Sequence, residues 1–87
     1  MARLVPSDAT IAAEITRQTA ARAPNTICPS EVARALAEDW RPLMPRVRAV
    51  AGTMPEIVAT QRGDPVDPVT ARGAIRLAAQ PPSDPSA

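Results

Sequence analysis

The chain has no histidine, lysine, tyrosine or phenylalanine, and only one tryptophan and one cysteine, in 87 residues. Without an imidazole or an amine for a Schiff base, the usual general bases reduce to nine carboxylates. None of these stands in a catalytic pattern. Glu38 and Asp39 are adjacent, which on a helix points them about 100° apart, so they read as charge at a helix end rather than a paired acid and base. One cysteine and no histidine leave only oxygen ligands for a metal, and Asp64-Pro-Val-Asp67 lacks the spacing of a calcium loop. The expectation is a protein that is not an enzyme, with no catalytic residue, no metal, no cofactor and no small-molecule substrate.

Other absences narrow the class further. A single aromatic ring, Trp40, is too few for the stacking platform of a single-strand binder, and it reads first as a core anchor. No apolar run approaches the roughly 20 residues of a membrane span, and the opening Met-Ala-Arg-Leu-Val-Pro lacks the apolar stretch of a signal peptide. Cys28 has no partner for an internal disulfide. These features point to the cytoplasm and to no membrane partner. Cys28 also precedes a helix start, where the dipole lowers a thiol pKa, but with no histidine or second cysteine a structural role is the preferred reading. The net charge is +1, so attraction to nucleic acid must come from local clustering. All ten basic residues are arginine, which the alanine- and proline-rich composition explains as well as phosphate recognition does.

What is present is a helical rhythm that gives way to an extended one. Ser7 or Asp8 caps a first helix running to about residue 21, with Ile11, Ile15 and Thr19 on one face. After a turn at residues 23–26, a second helix opens at Cys28-Pro29-Ser30-Glu31, with Ser30 as the cap or, in another register, Pro29 as the first helical residue. Its buried side is Val32, Ala33 and Leu36. A third helix covers roughly residues 40–54 on a stripe of Leu43, Met44, Val47, Val50, Ala51 and Met54. Pro42 fits its first turn, Pro45 bends it unless the regular helix begins there, and Pro55 closes it. Residues 57–61 then read as a strand and 62–65 as a turn, with Val66 one candidate start of a return strand; 67–73 read as a loop, and 74–77 as the preferred strand to pair back with 57–61.

Helix, turn, helix, turn, helix and hairpin is the order of a winged helix-turn-helix, an α+β fold that is mainly α. The expected domain spans residues 8–78, with flexible tails at 1–7 and 79–87, and its small size implies modest stability that a dimer contact would improve.

Four blocks sharpen this reading: Cys-Pro-Ser-Glu-Val-Ala-Arg-Ala-Leu at 28–36, Trp-Arg-Pro-Leu-Met-Pro-Arg-Val-Arg at 40–48, Thr-Gln-Arg-Gly-Asp-Pro-Val-Asp-Pro at 60–68 and Gly-Ala-Ile-Arg-Leu at 73–77. In this order they resemble the signature blocks of an uncharacterised bacterial family of small domains of unknown function, over roughly residues 10–78. The resemblance implies a winged-helix-like fold and no activity. The chain departs from the family pattern between Ala51 and Ile57, where relatives tend to have a longer helix end and a glycine turn.

A winged helix invites double-stranded DNA as partner, with the third helix in the major groove and the hairpin tip on the backbone. Arg41, Arg46 and Arg48 on the third helix and Arg62 at the tip stand where phosphate contacts are wanted. Opposite the core stripe, the helix offers Pro42, Pro45, Ala49 and Gly52, with no Asn, Gln or Ser to read base edges. That small, uncharged face suits the alternative of a non-enzymatic protein-interaction or structural module, binding a protein partner or a second copy. For each arginine the competing role is a salt bridge, with Arg34, Arg41 and Arg48 within reach of Glu31, Glu38 or Asp39.

Overall fold

The computed structural model describes residues 5–80; of the expected tails at 1–7 and 79–87, residues 1–4 and 81–87 lie outside the described residues. Helix α1, Asp8–Arg22, starts where a short polar side chain can satisfy an unpaired amide: Ser7 Oγ accepts from the Thr10 N–H at 3.1 Å. Asp8 in its first turn and Arg22 in its last both complement the helix dipole. Its inner face buries Ile11, Ile15 and Thr19, and the buried Thr19 hydroxyl is satisfied by donating to the Ile15 carbonyl at 2.8 Å.

Helix α2, Pro29–Leu36, takes Cys28 as its cap and Pro29 as its first residue, the second of the two registers open from sequence. Glu31 decides the register by reaching back three residues, where its Oε2 accepts from the Cys28 N–H at 2.8 Å. Pro29 loses nothing there, because a first-turn amide has no helical acceptor. The third segment is a 3₁₀ turn, Arg41–Leu43, running into α3, Met44–Gly52. Pro42 falls in the 3₁₀ turn and Pro45 in the first turn of α3, so neither breaks a helical hydrogen bond. The regular helix is therefore shorter than the expected 40–54 and begins at Met44, with Pro45 in its first turn.

Past Pro55 the chain is extended. Strand β1 is Ile57–Gln61, β2 is Asp64–Pro65 and β3 is Arg76–Ala79, forming an antiparallel sheet in the order β2-β1-β3. The expected two-stranded hairpin is thus a three-stranded sheet. Arg62 and Gly63 both have positive φ, 53° and 87°, a two-residue turn that matches the twist of the flanking strands and lets the chain pair at once, with Thr60 opposite Pro65. The return strand lies two residues later than expected. Gly73, at φ 85°, turns the chain, and the Gln61 Nε2 donates to the carbonyls of Arg72 and Ala74, so Ala74 and Ile75 do not join the ladder. Pairing runs from Thr60 opposite Arg76 to Ile57 opposite Ala79, and the Gln80 N–H reaches the Glu56 carbonyl at 2.7 Å. Residues 79 and 80, assigned from sequence to a tail, are paired.

A further contact completes the sheet. Ile27, between α1 and α2, exchanges two backbone hydrogen bonds with Leu77, 2.7 and 2.8 Å long. The helices pack over one side, and the core centres on Ile11, Ile15, Ile27, Val32, Val47 and Leu77, all fully buried. Three helices, a backbone bridge from the α1–α2 connection to β3, and an antiparallel sheet with a long connection between its main strands give an α+β, mainly α, winged-helix-like arrangement.

Candidate nucleic-acid interface

The long connection between β1 and β3, residues 62–75, occupies the position of a wing. It does not project freely along its length. Asp67 Oδ1 accepts from the Val69 N–H at 2.8 Å and the Asp67 carbonyl from the Ala71 N–H at 2.9 Å, a single local turn. That turn folds onto the end of α3, where a side-chain carbon added at Gly52 would lie 3.2 Å from Val69 Cγ2. A side chain at position 52 would press on the Val69 methyl, which would have to give by a few tenths of an ångström.

The four arginines expected at an interface separate into two pairs. Arg48 is half-buried and donates to the carbonyls of Ala71, at 2.7 Å, and Gly73, so it staples the wing to α3. Arg46 donates to Asp8 Oδ1 at 2.6 Å, tying α3 to the start of α1. Its side chain is 37% exposed and that of Asp8 75%, so this is a surface ion pair, worth about 0–1 kcal/mol. Arg41 and Arg62 are exposed, and among the described residues neither donates to a carboxylate or a carbonyl. Arg62 sits at the tip of the β1–β2 turn.

Arg41 has a different neighbour, the ring of Trp40, whose centroid is 4.7 Å from its guanidinium carbon; that of Arg34 is 4.4 Å away. Trp40 is half-buried and packs only partly against the core, so it is less an anchor than the sequence suggested. None of the salt bridges expected of Arg34, Arg41 and Arg48 with Glu31, Glu38 or Asp39 forms among the described residues. Glu31 pairs instead with Arg22, at 3.0 Å, and Arg76 donates to Thr26 Oγ1 at 2.8 Å. Nothing in local spacing marks Arg34 as a partner of Trp40, because the chain between them turns through residues 37–39.

The carboxylates whose acidity is displaced serve the fold. The Cys28 N–H hydrogen bond, with help from Arg22, holds Glu31 below the usual carboxylate range, and hydrogen bonds from Arg17 and Gln18 do the same for Glu14. Both are fully ionised at neutral pH. Cys28 is half-buried, with Ser30 Oγ donating to its sulfur at 3.0 Å.

Beside the start of α3 lies a groove of about 490 Å³ between the segment before α1, the end of α2 and the 3₁₀ turn. Pro6, Leu36, Pro42 and Leu43 supply its apolar wall, and Val5, 67% exposed, stands at its edge with Glu38, Asp39 and Arg46. Among the described residues, no helix is long and apolar enough to cross a membrane, and no three of His, Cys, Asp and Glu cluster as a metal site would require.

The fold therefore places the chain among small helical domains carrying a winged-helix-like sheet. Over residues 8–80 it matches the family described as a protein of unknown function (DUF3253), and it belongs to that family. No curated protein matches it.

Proposed function

We propose that this domain is a non-catalytic module that binds double-stranded DNA through the phosphate backbone, without reading sequence. The observation that carries the proposal is the placement of two arginines without carboxylate or carbonyl partners: Arg41 at the leading end of the α3 segment and Arg62 at the turn tip. In helix-turn-helix proteins these are the regions that meet the groove and the backbone, a correspondence that rests on analogy of fold. Arg46 joins them at small cost, since a phosphate oxygen replaces that of Asp8 in a pair already open to water. Arg48 is committed to the wing carbonyls and contributes by holding the wing in place. Base reading is not supported, because the outward positions Pro42, Pro45 and Ala49 offer no hydrogen-bonding group.

Two or three neutralised phosphates imply a log K that falls with log salt at a slope of about −2 to −3. Fluorescence anisotropy with mixed-sequence duplexes across a salt series measures it. A slope in that range that is the same for unrelated duplexes is expected, and absence of binding at low salt overturns the proposal.

A second reading, favoured by the apolar groove and the exposed Val5, is a protein-docking module that self-associates there. It requires a mass that rises with concentration and is restored to the monomer value in Val5→Asp. A monomer at all concentrations removes it.

A further inference from the structure

We infer that Arg34 and Arg41, both held against the Trp40 ring, form one preorganised phosphate clamp, so that α2 contributes to duplex binding as well as α3. The inference rests on the duplex-binding reading above and assigns Arg34 and Trp40, which that reading does not use. The guanidinium carbons lie 4.4 and 4.7 Å from the indole centroid, a distance at which the cations are attracted to the electron-rich ring. A stacked guanidinium has surrendered part of its rotamer freedom already, while its in-plane N–H groups stay available to oxyanions. Neither arginine donates to a carboxylate or a carbonyl among the described residues, although Glu38 and Asp39 immediately precede Trp40 in sequence.

The two cations come from successive elements, Arg34 from the last turn of α2 and Arg41 from the 3₁₀ turn that leads into α3. The first helix of a helix-turn-helix pair crosses the backbone and the second enters the groove beside it, so cations bridging the end of the one and the start of the other stand where the backbone borders the groove. Trp40 acts as a positioning residue. Its ring carries guanidinium groups, which opposes base stacking and selects a duplex over a single strand.

Trp40 is the only aromatic residue, so the intrinsic emission of the full chain reports on this clamp alone. Titration with a mixed-sequence duplex at low salt is expected to change that emission saturably, in step with anisotropy. With Arg34 added to the contacts counted above, the slope of the unaltered chain steepens to about −3 to −4, and Arg34→Ala, checked for folding by far-UV circular dichroism, is expected to return it by about one. Arg34→Lys keeps the slope, since the charge remains, but binds more weakly because an ammonium does not stack flat. If Arg34→Ala leaves slope and emission response unchanged while Arg62→Ala still lowers the slope, the clamp is overturned and duplex binding stands. If the unaltered chain does not bind duplex at all, both fall.

Discussion

Arg48 separates a structural from a phosphate-contacting role, because the two make opposite forecasts for one substitution. Its guanidinium donates to the carbonyls of Ala71 and Gly73, 23 and 25 residues away in sequence, and no other side chain joins α3 to that part of the wing by hydrogen bonds among the described residues. A hydrogen bond from a charged donor is worth about 1.5–3 kcal/mol when shielded and less in water. With the Ala71 bond partly buried and the Gly73 bond exposed, Arg48→Ala costs about 2 kcal/mol. In a domain this small, each kcal/mol moves the melting temperature by about 4–8 °C, so a drop of about 8–16 °C is expected by far-UV circular dichroism. Arg48→Lys, which can satisfy one carbonyl but not both, recovers about half. Hydrogen exchange in residues 67–74 is expected to quicken before that of β1. An unchanged melting temperature together with a salt slope smaller by about one would refute the staple and return Arg48 to the phosphate contacts.

Three further outcomes follow from the same contacts. Glu31 is held below the usual carboxylate range, so its stabilisation is complete above an unfolded value of about 4.3 and is lost as pH falls through the lower folded value. Glu31→Gln, which keeps an acceptor for the Cys28 N–H but cannot titrate, is expected to flatten the acid limb of stability against pH, and an unaltered limb counts against the cap. Leu77 is fully buried and bonded on both sides through its backbone, so Leu77→Ala is expected to cost about 2–5 kcal/mol, comparable with the stability of so small a core; a melting temperature within a few degrees of the original contradicts this. Glu38→Gln and Asp39→Asn, beside the proposed clamp, are expected to tighten duplex binding at low salt, and no change places those charges away from the DNA.

The architecture was legible because its signals are local. Pro55 ends one period and the β-branched run after it begins another, and β1 falls on the expected residues 57–61. Ile11, Ile15 and Thr19 face the core as their spacing requires. What escaped depends on distant partners. Ile27 is one residue between two helices, and only Leu77, fifty positions on, makes it part of the sheet. A return strand beginning at Val66 was one reading of the sequence, but β2 starts two residues earlier, because positive φ at both Arg62 and Gly63 makes the turn only two residues long, and the first of these is not a glycine. The arginines were the least legible. Spacing offered carboxylates as partners, whereas Arg48 took carbonyls of the wing and Arg34 took an indole, choices fixed by tertiary packing.

Duplex binding through placed arginines, rather than through overall charge, is tested most directly by two variants with the same net charge. Arg62 is at the turn tip, and Arg17 lies on α1 in an ion pair with Glu14. Salt-dependent anisotropy is expected to show a slope smaller by about one for Arg62→Ala and unchanged for Arg17→Ala. Equal slopes in the two variants would contradict the placement of the wing tip against DNA.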